Sequence, residues 1–361
     1  MGGTMLNRAI DSYRHLSLDD TPTLLNLAWT KDERDFITPP LPSLIEQSLY
    51  HEIDRKLPDI WHYAVDDPWG ERRLTPAVCS YFGVKEDGLS LSCGAGVIQL
   101  LSVLPALSVK GSVAVADEIY PDFPWWLKKS GRSVWRIRAK TVTGCVKQAI
   151  SLGADVFFIE RPGVREDTFM SLDTVYELGM SLAGAGITLL IDESNANYQP
   201  PSYSAVHLLA YLPNIIVLRG VSKAWGLGSL RTGLCISSPA LKETLREIIP
   251  PLLNPSLTLR IVHDVLTMGD STAWLRARIQ QQKQAAIMLF EGWPVMPSSN
   301  AMPYLFLPTN EETTLRHLGI GTKRHHFWQE ADTTTTLLRL SVPLQESRML
   351  WLENVLKGEK R

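Results

Sequence analysis

The sequence predicts an α/β protein in which a mostly parallel sheet flanked by helices forms a large domain and a smaller α+β domain follows. Between Gly88 and Gly233, short apolar runs alternate with longer segments of helical period. Several runs, "VFFIE" and "TLLID" above all, are apolar at successive positions, as a strand covered on both faces requires. After "PPLLNPS" the texture changes, first to long helix and then to a mixture of strand and helix.

The elements follow in order. Residues 1–40, proline-rich near "ITPPLPS", read as an arm that leaves the large domain. Residues 41–255 form that domain, with strands in "GLSLSCGAG", "GSVAVADEIYP", "SVWRIRA", "ADVFFIERP", "GITLLIDES", "NIIVLRGVS" and "TGLCISS". Polar residues cluster where these strands stop, and open α/β sheets bind ligands at the carboxyl ends of their strands. Residues 256–361 form the small domain: a long helical stretch, roughly Leu257 to Trp293, then "MPYLFLP", a His-containing helical segment, "TTLLRLSVP" and a last helix near Gln345 to Leu356.

With 45% hydrophobic and 20% charged residues among 361, a disordered chain is excluded. A net charge of −2 gives no general pull on nucleic acid or acidic lipid, so a small molecule is the expected partner. The start, "MGGTMLNRAIDSYRHLSLDD", lacks the apolar core of a secretion signal, and no run approaches bilayer length. A cytoplasmic location without membrane contact is the expectation. Cys79, Cys93, Cys145 and Cys235 are scattered singly without zinc spacing, so they read as small buried hydrophobes and no metal is expected. His325 and His326 follow Lys323 and Arg324, a basic turn or one edge of a substrate pocket.

The chemistry centres on "VLRGVSKAWGLGSLRTG". Lys223 follows an apolar strand, where it is either a surface lysine or one whose amine is desolvated into a useful range. Asp192 closes "GITLLID" as a helix N-cap or a ligand group. Gly94, Ala95 and Gly96 lie between a strand and a helical run, either facing an anion with backbone N–H groups or only making a tight turn. Ser222 and Arg231, eight positions beyond the lysine, would complete an anion cradle. Tyr120 is an ordinary strand-end aromatic or a ring that stacks on a ligand. A lysine, a carboxylate, an anion cradle and a stacking ring are what pyridoxal 5′-phosphate asks of a protein.

Gly-Ala-Gly before a helix, strand-Tyr-Pro, strand-Asp-Glu, and "SKAWGLGSLRTG" resemble the fold type I aminotransferases of class I/II, especially the histidinol-phosphate aminotransferase and threonine-phosphate decarboxylase branch. The resemblance runs from about Asn26 to the end of the chain. It implies that Lys223 forms the Schiff base and shuttles the substrate's α-proton, that Asp192 holds the pyridine nitrogen and that Tyr120 stacks on the ring. Gly94, Ala95, Gly96, Ser222 and Arg231 would bind the phosphate, with Tyr63 reaching it from the partner of a homodimer. Arg339 in "TLLRLSVP" would clamp the substrate carboxylate.

Two positions depart from the family pattern. Arg161 stands where an asparagine usually donates to the ring phenolate, and Asn195 where a tyrosine gives the second donor. The expectation is that both still donate there and that Arg161 adds a positive charge beside the oxygen. Transamination of an α-amino acid or close analogue is the leading activity. A decarboxylase, lyase or cyclase of specialised metabolism is the alternative that the altered donors suggest. A cofactor-binding regulator without turnover is a third reading, disfavoured by an arm too short for a DNA-binding domain. Trp29, Trp125, Trp126, Arg161 and the His325–His326 pair are candidates for the pocket wall; the substrate itself is not legible.

Overall fold

All seven expected runs are strands of one sheet in the computed structural model, which describes residues 19–54, 61, 63–116, 119–165, 171–328 and 334–358. The strands are β1 (Leu25–Asn26), β2 (Ser90–Ala95), β3 (Ser112–Val115), β4 (Ser133–Arg136), β5 (Val156–Glu160), β6 (Thr188–Asp192), β7 (Ile215–Gly220), β8 (Thr232–Ser237), β9 (Tyr304–Pro308), β10 (Ile320–Gly321), β11 (Lys323–Trp328) and β12 (Thr334–Ser341). The large sheet has the order β2-β8-β7-β6-β5-β3-β4. Strands β4, β3, β5, β6 and β7 are parallel, and β8 and β2 are antiparallel to their neighbours.

The unbroken apolar runs are explained by burial on both faces. Phe157, Phe158 and Ile159 of β5, Leu189 to Ile191 of β6 and Ile215 to Leu218 of β7 are all fully buried. Each such side chain contributes about 1.5–3 kcal/mol on leaving water. The polar residues Glu160 and Asp192 face each other in register where β5 and β6 end. Helices connect the parallel strands, and two carry side-chain N-caps: Thr141 Oγ1 accepts from Gly144 N and Ser171 Oγ from Thr174 N.

The expected helix from Leu257 to Trp293 is two helices, Ser256–Thr267 and Ala273–Leu289. Gly269, with φ +68°, lies in the interruption, a left-handed conformation that stops a helix. The first of the two packs on helices Glu71–Phe82 and Leu41–Asp54. Strands β11, β12 and β9 form an antiparallel sheet with Lys323 opposite Arg339. His325 and His326 therefore belong to a strand, not a turn, and the histidine in the helical segment Glu312–His317 is His317.

The arm is fastened to this C-terminal part. Strand β1 pairs in parallel with β10, and Asp32 Oδ1 accepts from Arg348 Nη1 at 2.7 Å. Asp32 Oδ2 accepts from the backbone of Leu344 at 2.9 Å. All four cysteines are buried and free. Among the described residues no helix is long and apolar enough to cross a membrane.

Candidate active site

Strands β5, β6 and β7 end at a cavity of about 280 Å³, near the lower end of the range of ligand pockets. Tyr120, Asp192, Asn195, Ser222, Lys223, Arg231 and Arg339 all line it, brought together from segments distant in sequence. The turn after β7 is bent hard to present them. Ala224 and Arg231 have φ of 57° and 48°, left-handed values that cost a non-glycine residue about 1–3 kcal/mol each. Trp225, buried, anchors that turn by donating from Nε1 to Ser271 Oγ at 3.0 Å.

Lys223 opens onto the cavity, yet enough protein surrounds it for desolvation to dominate its chemistry. Burial pushes its ammonium below the usual lysine range, Asp192 and Glu160 pull it back up, and Arg339 pushes it down again. Asp192 is 7% exposed, and burial raises its carboxyl above the usual range against the lowering by Lys223 and by Ser194. Ser194 donates twice to Asp192 Oδ1, from its backbone N at 2.8 Å and from Oγ at 2.5 Å. This fixes the carboxylate's orientation. Lysine and aspartate thus shift in opposite directions by the same cause, the loss of water from charged groups.

The glycine loop lies against Arg231. Arg231 Nη2 donates to Ala95 O at 3.2 Å and Nη1 to Gly228 O at 3.1 Å. A Cβ built on Gly96, whose φ is +82°, would fall 2.4 Å from Arg231 Nη2, so only glycine lets the guanidinium lie there. Gly94 is tied to the same packing, since a Cβ there would collide with Leu100 and Gln99. Tyr120 donates its hydroxyl to Asp122 Oδ2 at 3.0 Å, which holds its ring at the cavity edge.

The opposite wall comes from the C-terminal sheet. Arg339 donates from Nη2 to Ala28 O at 2.9 Å and stands 4.5 Å from the Tyr304 ring centre; its Nε is buried without a hydrogen-bond partner. Lys323, 4% exposed and opposite Arg339 in register, also lines the cavity, over the Trp29 ring. Burial, then the charges of Arg339 and Lys223, push its ammonium down to about 6. His325 and His326 form the edge of the cavity, and burial holds His325 well below the usual imidazole range.

Not every expected residue lines the cavity. Arg161 is 1% exposed and turned away from the cavity: its Nη1 donates to Glu193 Oε1 at 2.9 Å and its guanidinium stacks 3.7 Å from the Tyr203 ring centre. Successive residues of a strand face opposite sides, and it is Glu160, not Arg161, that occupies the inward position at the end of β5. Asn195 does line the cavity, with a buried Oδ1 that has no hydrogen-bond partner. Tyr63 is 83% exposed and away from the cavity of its own chain. Of the tryptophans, Trp29 supports Lys323 and Trp126 packs beside Tyr120, while Trp125 stacks with Lys129. Sequence reasoning did not single out Glu160 or assign Lys323 to the site. Glu160, like Asp192, is the last residue of an apolar strand, but the charged Arg161 next to it leaves open in the sequence which of the two faces the cavity.

Fold and cavity define an α/β protein with an amine, two carboxylates and several guanidinium groups converging at the strand ends. The chain belongs to the Aminotransferase class I and II family, which matches residues 68–346. It is 25% identical over 290 residues to an aromatic amino acid aminotransferase from Cutibacterium acnes, covering 76% of this chain and 77% of that one. It is 22% identical to a histidinol-phosphate aminotransferase from Pyrococcus furiosus, covering 64% and 65% respectively. The fold matches that of histidinol-phosphate aminotransferase from Sinorhizobium meliloti, solved in complex with pyridoxal 5′-phosphate, with a TM-score of 0.71 at 17% identity over 98% of this chain and 99% of that one. It also matches L-threonine-O-3-phosphate decarboxylase from Porphyromonas gingivalis, with a TM-score of 0.68 at 12% identity over 92% and 98%.

Proposed function

We propose that this protein is a pyridoxal 5′-phosphate-dependent aminotransferase that acts on an α-amino acid or a close analogue. The observation that carries the reading is Lys223, an amine disfavoured as ammonium by burial, in one cavity with the carboxylate of Asp192. The cavity fits the cofactor: the Gly96 loop makes room for the guanidinium of Arg231, and the orphaned Asn195 Oδ1 awaits a donor. When bound, pyridoxal phosphate supplies an electron sink for a carbanion at the substrate's α-carbon.

The residues then divide the work. Lys223 Nζ attaches the cofactor and carries the α-proton, while Asp192 keeps a proton on the pyridine nitrogen. Ala95, Gly96, Ser222 and Arg231 hold the phosphate, with Gly94 shaping the loop, and Tyr120 covers the ring. Arg339 binds the substrate carboxylate, with the fork geometry that suits a bidentate pair. Lys323 lies beside it on the same wall.

The test is the absorption spectrum of the protein loaded with pyridoxal phosphate, before and after single amino acids are added without an oxo-acid acceptor. Transfer of the amino group to the protein-bound cofactor supports the aminotransferase. Persistence of the original band while ammonia or carbon dioxide accumulates supports the second reading, a decarboxylase, lyase or cyclase. That second reading now stands on Asn195, because Arg161 puts no charge into the cavity.

We further propose a cytoplasmic homodimer. Tyr50, Ile53, Trp61, Tyr63 and Val65 are all more than half exposed, apolar side chains that a second copy would cover while supplying Tyr63 to the neighbouring phosphate site. A solution mass equal to that of one chain is the result that would overturn this.

A further inference from the structure

The proposed division of work leaves Glu160 without a task. Glu160 ends β5 directly opposite Asp192 on β6, and both side chains reach the same cavity as Lys223. Its Oε1 accepts the backbone N–H of Tyr120, which pins the carboxyl group to the cavity wall. Two carboxylates in register and the Lys223 amine share the cavity, a set in which charges are not balanced when every member is ionised. Like charges so placed raise the cost of ionising both carboxyls.

Groups on every neighbouring element bear on this set. Asp192 faces Glu160 from β6 and Lys223 from the turn after β7. Beyond them the cavity is lined by Arg231, by Arg339 of β12 and by Lys323, Arg324, His325 and His326 of β11. The charge of Lys223 favours an ionised Glu160, whereas burial and Asp192 oppose it.

We propose that Glu160 is a positioning residue of the Lys223 site: its carboxylate takes the proton that Lys223 Nζ sheds on becoming a free amine, and gives it back. One N–H bond breaks and one O–H bond forms. Burial, then the charge of Asp192, push the Glu160 carboxyl up to about 8, while Lys223 is pushed down from the lysine range. The two groups thereby approach each other in proton affinity, which is what exchange of one proton requires. The functional meaning rests on reading Lys223 as the cofactor lysine; the proton sharing does not.

The experiment uses the full chain, with and without pyridoxal phosphate, as wild type, E160Q and E160A. Acylation of Lys223, followed by peptide mass mapping across the neutral and alkaline range, reports the fraction of free amine. In the wild type the profile should be broader than a one-proton curve, because Glu160 titrates alongside. In E160Q it should sharpen to one proton with its midpoint about one pH unit lower, so that labelling near neutrality is up to about tenfold faster. E160A should shift the same way if the variant with the amide fails to fold. With the cofactor bound, the midpoint of its visible band should also move in both variants. A one-proton wild-type curve that neither variant moves overturns the proposal. A broad curve that survives both substitutions assigns the second proton to Asp192 and overturns it too. If pyridoxal phosphate binds nowhere, the proposed function falls while the labelling result without cofactor still decides the role of Glu160.

Discussion

Two ionic clusters share the ends of β5 and β6 and face opposite ways. Behind the sheet, Glu193 is completely bonded: Oε1 accepts from Arg161 Nη1 at 2.9 Å and Ala205 N at 2.8 Å, Oε2 from Arg219 Nη1 at 3.2 Å and Ser204 Oγ at 2.5 Å. In front, one residue earlier on each strand, Glu160 and Asp192 share a cavity with Lys223 and Lys323, and among the described residues the hydrogen bonds to the Asp192 carboxylate all reach Oδ1. A cluster whose every lone pair is used holds the fold rigid, and one with capacity left over is available to a ligand. The family's chemistry can be sought in front and its scaffold behind.

The largest effect expected on this contrast is at Lys223. Lys223→Ala should lower turnover by more than about a thousandfold and abolish the cofactor's visible band, with little change in the urea midpoint. Glu193→Ala should do the reverse. It strands two buried guanidinium groups and should cost about 3–5 kcal/mol in urea unfolding, and Arg161→Ala should also destabilise the protein while leaving the pH profile of the band in place. Loss of the band's pH dependence in Arg161→Ala would merge the two clusters and end the distinction.

Smaller effects sharpen the boundary. Gly96→Ala forces a side chain into a left-handed conformation against Arg231 and should cost roughly 1–2 kcal/mol, about tenfold in the affinity for pyridoxal phosphate measured by titration. The smallest effect is a slope. The Glu160 carboxyl is raised from the ordinary 4.5 to about 8, so between these values the native state holds a proton that the unfolded chain has lost. Stability should fall as pH rises through that window, and E160Q should flatten the fall in denaturant midpoints.

The strands were legible because they are buried on both faces, so their apolar runs are uninterrupted. That same uniformity hid the parity of the strand end. In "VFFIERP" no alternation says whether residue 160 or 161 points inward, and both are charged. The folded sheet decides it: Glu160 lines the cavity, while Arg161 donates to Glu193 on the other side. Asp192, which ends β6, and Lys223, in the turn after β7, were readable from spacing. Lys323 was not, because its place depends on a register with Arg339 that only the folded C-terminal sheet defines. The break at Gly269 was also hidden, since the apolar period continues on both sides of it.

One attachment reaches beyond the site itself. Arg339 spends one arm of its guanidinium on the carbonyl of Ala28, in a segment that runs alongside β10 and is bolted to Arg348 through Asp32. The N-terminal segment therefore acts as a depth stop for the pocket's far wall. Lengthening or shortening the chain between Asn26 and Asp32 would reset the reach of Arg339 toward a substrate without altering any side chain that the substrate touches.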